Sequence, residues 1–400
     1  MTARIPQGKD RLLMFEITRV RGIEGLEAIR ATWEVLYGAS LNPSFYSYWY
    51  WYESISRHLL DSEIDYFLLH RQQRCVAIVP LQLHAWRKGG HSWQVLRLPS
   101  HDHLEMMDAL IHRDQAPLPV FAALHDYLLH QRELSWDMLL FPKVRARAGL
   151  ASALLPQEGH VRQCGHSCYL QGNPQQPPEA TLSHKHLKNI SRLQRKLETE
   201  HQQSLHFHHC SEPQQLEAAF ATFLQVEASG WKGEQGENTC ISAHPRYQAH
   251  YHHLLQCFGP SGDFAVNLLL LGEQPLAAQL CIRAGQAWHL MKIGYDEAFQ
   301  AYAPGNILLW LFIQQQAAQP QPWEVNLVTG PGWAERWHFN EEPVYRAEFF
   351  NTTLRGRLLS TLLKGKELLK GQIKGERDDS IASATSKHQP QGRTEKGTAQ

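Results

Sequence analysis

The chain has 400 residues, 43% of them hydrophobic, with 12 Trp, 13 Tyr and 15 Phe. That is enough apolar content for one large domain or two packed halves, and too much for a disordered chain. Lys plus Arg equals Asp plus Glu at 39 each, so net charge gives no pull toward nucleic acid, and DNA is not expected as a partner. Seven scattered Cys read as reduced thiols, and the longest apolar run, Phe264 to Leu271, is far short of the roughly 20 residues that span a bilayer. Without an apolar leader near the start, the expectation is a globular, cytoplasmic protein.

Leu26, Ile29, Trp33 and Leu36 recur at helical spacing, and Asn42-Pro43 closes that helix. The aromatic stretch 45–59 reads as a second helix. Three strand-like runs follow, within 64–70, 75–84 and 93–99, joined by polar turns. A Pro-started helix over 117–132 and a strand at 135–141 complete the first half. The prolines of 173–179 cannot sustain a helix or a central strand and mark a linker at 173–180. The second half opens with a helix at 183–200, a strand near 205–209, a helix from Pro213 to Ser229 and another over 244–257. Strands then run through 263–271, 276–285 and 286–295. The strand–turn–strand–turn–strand cadence thus appears twice, about 200 residues apart, which hints at duplication.

Beyond the second half, residues 351–375 carry Leu358, Leu362, Leu369 and Ile373 near helical spacing among Lys and Arg, an amphipathic helix expected to pack on the protein itself. Its lack of Trp or Phe argues against stable membrane binding. Residues 376–400 are too polar to bury a core and read as a disordered tail.

Two segments carry chemistry. In 287–317 a strand enters a loop that ends at Ala303-Pro304-Gly305-Asn306 before an apolar helix. Pro suits a first helical turn, Gly permits close approach, and a helix start offers N–H groups and a positive dipole end to a pyrophosphate; an ordinary Pro-started helix is the alternative. In 183–200, Leu187, Ile190, Leu193 and Leu197 share one face, while Lys185, Lys188, Arg192, Arg195 and Lys196 lie opposite. That basic face is either a solvated surface or a rim for an anionic ligand. His206, His208, His209 and Cys210 cluster, as do His250, His252, His253 and Cys257, but neither group has the paired spacing of a zinc site, and no metal is expected.

A specific resemblance then emerges. It joins the basic helix (Ser183, Lys185, Asn189, Arg192, Arg195, Lys196, Leu197, Glu198) to Glu227 with Trp231-Lys232. Gly294-Tyr295-Asp296 follows, then Pro304-Gly305 with Leu308-Leu309, then Gly330 and Trp337. In this order they resemble the GNAT-type acetyltransferase domain of the CelD-like family, encoded among bacterial polysaccharide genes including those of cellulose biosynthesis. The motifs span 180–340; residues 15–140 share only the cadence. The FemAB peptidoglycan aminoacyltransferases pair two lobes of this kind.

The resemblance implies an α/β (α+β) fold of two GNAT-like lobes, each a mixed, mostly antiparallel sheet flanked by helices. The first is a degenerate lobe at 1–172, and the second an acetyltransferase lobe at 181–350. It further implies acetyl-CoA, or another acyl-CoA, as donor, with Ala303, Pro304, Gly305 and Asn306 around its pyrophosphate. The family usually has Ser where Ala303 stands. Acyl transfer needs a base and donors for an oxyanion, which points to Glu227, Tyr295 and Asp296 as catalytic. Lys185, Lys188, Arg192, Trp231 and Lys232 would meet the substrate. His289 and Trp310 read as core residues, and for Trp231 a place in the core is the alternative to a sugar-stacking one. The expected function is N- or O-acyl transfer to a sugar or polysaccharide precursor, with contacts to polysaccharide-synthesis enzymes. A FemAB-like aminoacyl transferase using charged tRNA and a non-catalytic GNAT-like scaffold are the alternatives. The first-half loop 98–112 has no Gly, so only the second lobe should hold a cofactor.

Overall fold

The structure is a computed structural model that describes residues 15–365 except 102, 103, 105, 158, 175, 231, 232 and 234–237. The roles expected of Trp231, Lys232, residues 366–375 and the tail 376–400 lie outside the described residues. The first half runs β1 (Glu16–Arg21), α1 (Gly22–Ala28), α2 (Arg30–Ala39), α3 (Trp49–His58), β2 (Ile64–Arg71), β3 (Arg74–Lys88), β4 (His91–Arg97), β5 (Leu110–Ile111), α4 (Pro117–His130), β6 (Met138–Arg145), α5 (Gly149–Leu154) and β7 (Val161–Gly172). The second half repeats the order with α6 (His184–His201), β8 (Leu205–Cys210), α7 (Pro213–Ala228), α8 (Pro245–Phe258), β9 (Phe264–Leu271), β10 (Gln274–Ala284), β11 (Ala287–Tyr295), α9 (Pro304–Ala317), β12 (Trp323–Asn326) and β13 (Asn340–Phe350).

Local signals explain most of these elements. Four helices begin with Pro in the first turn, where its fixed φ helps and its missing N–H costs nothing. Ser183 caps α6 by accepting the His186 N–H, and the four apolar residues of its expected inner face are all buried. The helix expected through Leu26–Leu36 is instead two, because Ile29 takes φ −100° and ψ 8° between α1 and α2. The aromatic helix starts only at Trp49, after a short 3₁₀ turn at Phe45–Ser47. A further helix covers 354–365, but its buried face is one residue away from the expected one. Leu359 is buried and Leu363 packs beside it, while Leu358 and Leu362 are exposed. In this phase Leu359 and Leu363 pack on Trp93 and Met138, and Arg355 pairs with Asp137.

Among the described residues the strands form one mixed sheet, ordered β1-β2-β3-β4-β6-β13-β7-β12-β11-β10-β9-β8, with β5 paired to β3. Pairing is antiparallel except at two places, β4 with β6 and β11 with β12. The halves are related in cadence, and each gives its last strand away. β7, from the first half, pairs with β12 of the second. β13, from the second, pairs with β6 of the first, and β7 and β13 pair with each other in the middle.

A buried charge network fastens this crossing. Arg147, just past β6, donates through its backbone N–H and its Nε to Glu342 of β13 at 2.9 and 3.0 Å. Its two terminal nitrogens reach Glu324 of β12 at 3.0 and 3.2 Å, and its guanidinium lies 4.4 Å from the Tyr169 ring centroid on β7. Burial alone would raise the Glu324 pKa; hydrogen bonds from Arg147 and Asn326 outweigh it and hold the carboxyl below its ordinary value. Replacing Arg147 would remove one side-chain bond from Glu342, whose side chain is 2% exposed, and two from Glu324, leaving Glu342 the N–H of residue 147 and Arg145 at 3.7 Å. Arg147→Ala is therefore expected to destabilise the protein by about 3 kcal/mol, the low end for a broken buried pair because Arg147 itself is partly exposed. Urea unfolding checks this, and a loss under 1 kcal/mol would contradict it.

Candidate active site

Tyr295 and Asp296 lie at the end of β11, past the point where it separates from β12. The two strands pair in parallel only from Ala287↔Glu324 to His289↔Asn326. Beyond that, β11 continues to Tyr295 against β10 alone among the described residues. Asn326 makes the split. Its Oδ1 accepts the Val328 N–H at 2.8 Å and the Ser167 hydroxyl at 3.2 Å, which bends the chain away from β11. Val328 sits at φ 66°, an outlier for a β-branched residue, and such strain is held only where the surroundings enforce it.

The loop after β11 leads into α9. Asp296 accepts the Ala298 N–H at 2.9 Å, so its carboxylate caps the 3₁₀ turn Glu297–Tyr302. Ala303 adopts φ 52°, which aims the chain into Pro304 at the helix start. Asn306 and Ile307 both give their N–H to the Ala303 carbonyl, leaving the Gly305 N–H as the first-turn donor for a ligand. A Cβ built on Gly305 would meet only the Tyr295 ring, at 3.9 Å, so the protein's own packing does not demand glycine there. The space above it suits an anion at the dipole's positive end. The Asn306 side chain is used otherwise: its Oδ1 accepts from Trp337 Nε1 at 3.3 Å.

The expected catalytic residues lie on the two faces of β11. Gly294 presses on α7 so closely that a Cβ would stand 2.8 Å from the Glu227 Cα. Glu227 is buried, and its Oε2 accepts the Ile241 N–H at 2.9 Å. Tyr295, the next residue, faces the opposite way, beside Gly305 and the core under α9. Glu227 and Tyr295 therefore share a site only across the gap between β11 and β12. Lys185, Lys188 and Arg192 are exposed on α6, and Arg192 donates to Asn189. Lys196 is drawn onto the loop before α9, 5.4 Å from the Tyr302 ring centroid.

Sequence reasoning missed a buried polar cluster at the apex of the split. His289 is buried with no hydrogen bond at Nδ1, its ring 5.7 Å from both Phe45 and Tyr46 of the first half. Burial, then the positive charge of Arg145, pushes its pKa down to about 4. Burial also raises Asp108 to about 7, against the pull of Arg145. The one available signal was alternation: Trp288 and Leu290 face α9, so His289 must face the first half. The corresponding split in the first half, past Arg97↔Leu140, holds a cavity of about 250 Å³ lined by Ser100, His101, Met106 and Lys143 among others.

Residues 184–337 match the sequence family described as an acetyltransferase (GNAT) domain. That match makes residues 184–337 a domain of acyltransferase type. No curated protein sequence matches the chain. Among solved structures, FemX is similar over 87% of this chain and 99% of its own, at 9% identity and a TM-score of 0.54. That likeness carries the two-lobed fold. L-PGS from Bacillus licheniformis covers 83% of this chain and 94% of its own, at 13% identity and a TM-score of 0.49. A tandem GNAT protein from the clavulanic acid biosynthesis pathway covers 83% and 98%, at 11% and 0.45. The expected two-lobed α/β fold stands.

The His289 environment yields a signed pH prediction. A folded pKa of about 4 against an ordinary 6.5 means the unfolded chain binds more protons between those values, so His289 costs stability as pH falls through that window. The stability difference between wild type and His289→Phe is expected to change by about 3 kcal/mol in favour of the variant between pH 6.5 and 4, and to be flat above pH 7. A difference independent of pH would contradict a buried neutral imidazole.

Proposed function

We propose that the second lobe transfers an acyl group from acyl-CoA to an amine or hydroxyl of a sugar or polysaccharide precursor. The observation that carries this reading is the open first turn of α9, where Gly305 offers a backbone N–H and unfilled space beside Tyr295. Ala303 and Pro304 shape that turn, and Asn306 braces it, its N–H bonded to the Ala303 carbonyl and its side chain held by Trp337.

In this reading the thioester lies in the gap between β11 and β12. Glu227 takes the proton as the acceptor's nitrogen or oxygen bonds to the acyl carbon, and Tyr295 protonates the departing thiolate. Asp296 acts by fixing the loop rather than by touching the acyl group. Neutral His289 and the first half's Tyr46 bound the apex of the gap. Lys185, Lys188 and Arg192, exposed on α6, form a cationic rim for an anionic part of donor or acceptor.

Those same cations favour a second reading. Three exposed basic residues with no acid paired to them among the described ion pairs suit tRNA phosphate, as an aminoacyl transferase of the FemAB kind would need. Acetyl-CoA at one hundred times its Kd should stabilise the folded chain by about 2.7 kcal/mol in a thermal-shift experiment. Gly305→Val is expected to abolish that shift with its circular dichroism unchanged. Glu227→Gln should keep the shift and lower CoA release in the presence of amino sugars by about 10²–10⁴-fold. Stabilisation by charged tRNA and not by acyl-CoA would move the assignment to the second reading. No response to either would leave a scaffold.

A further inference from the structure

We propose that Glu53, His253 and Cys257 form a zinc site across the junction of the two lobes. Glu53 lies on α3 of the first half, and His253 and Cys257 lie one turn apart on α8 of the second. One carboxylate oxygen, one imidazole nitrogen and the thiol sulfur sit within 4.8 Å of one another. His253 Nε2 and Glu53 Oε2 are 3.3 Å apart. In a tetrahedron with bonds of about 2.0–2.1 Å, neighbouring N and O ligands stand roughly 3.3 Å apart, so this edge is already at its metal-bound length. Soft sulfur with imidazole and carboxylate selects zinc over calcium or magnesium.

The supporting groups around these ligands are also in place. The other nitrogen of His253, Nδ1, is 3.3 Å from Nε2 of His58, so donation to a neutral His58 would fix the tautomer that leaves Nε2 for the ion. The other oxygen of Glu53 accepts from Arg57 Nε at 3.1 Å. The two helices are held at this spacing independently of any ion. Ser54 bonds His250 at 2.8 Å, and Arg246 donates to the carbonyls of His58 and Leu59 at 2.9 Å. All three ligands are half-buried, which leaves a water to complete the tetrahedron. Binding releases the Cys257 thiol proton to solvent, so the sulfur binds as thiolate. Neither histidine cluster in the sequence has zinc spacing by itself, because Glu53 arrives from 200 residues away.

The test uses the full chain, stripped with a chelator and then titrated with zinc and, separately, with cobalt(II). Wild type should hold one zinc per chain by elemental analysis, and cobalt should produce a thiolate-to-metal charge-transfer band. Cys257→Ser should remove that band and weaken zinc binding by at least about 100-fold, and His58→Gln should weaken it by about 10–100-fold. Zinc-free wild type at micromolar free zinc, a cobalt spectrum without the charge-transfer band, or wild-type affinity in Cys257→Ser would each overturn the site. Should Cys257→Ser fail to fold, the wild-type cobalt spectrum decides alone.

Discussion

Everything in this molecule leans on the exchange of terminal strands at its centre. β7 ends the first half but is paired to β12 of the second, and β13 is the last strand of the second half but is paired to β6 of the first. Neither half can close its own sheet, so both fold into one continuous layer. Two antiparallel strands held only by backbone hydrogen bonds are weak alone. Here Arg147 adds a charged clamp that touches β13, β12 and the β7 ring of Tyr169 at once. A buried ion network is costly to form from water, and it serves best by fixing one register where slippage would be ruinous.

The same crossing shapes the candidate site. Because β12 is pinned by β7 on one side, it cannot follow β11 on the other, and the two part after three paired residues. Asn326 and the strained Val328 hold that parting, and Ser167 on β7 supports Asn326 directly. The gap therefore depends on the first half's last strand, although the residues expected to carry the chemistry come from the second. His289, facing Phe45 and Tyr46, makes the same point from the other face of the sheet.

The repeated cadence was legible because strand lengths and turn residues are local properties, and the inner face of α6 because four apolar residues at helical spacing admit one phase. The open turn at Pro304-Gly305 was legible for the same reason. The strand exchange was not, since no strand was expected over 161–172 and partner choice is decided by contacts across the whole chain. The phase of the 354–365 helix was misjudged because Leu358, Leu359, Leu362 and Leu363 offer two faces, and the contacts that distinguish them, with Trp93, Met138 and Asp137, come from far along the chain. His289 looked like a core residue, and it is buried as one, but its bare Nδ1 and its neighbours from the first half are facts of packing. Asn326 and Glu53 act through partners more than 150 residues away, beyond the reach of any spacing rule.

Hydrogen–deuterium exchange with and without acetyl-CoA tests the central claim most directly, because it asks which of two similar splits takes the donor. The account predicts slowed exchange across 294–309, from the end of β11 through the first turn of α9, with the equivalent first-half segment 98–110 unaffected. Protection at 98–110 instead, or at neither segment with saturating ligand, would contradict it.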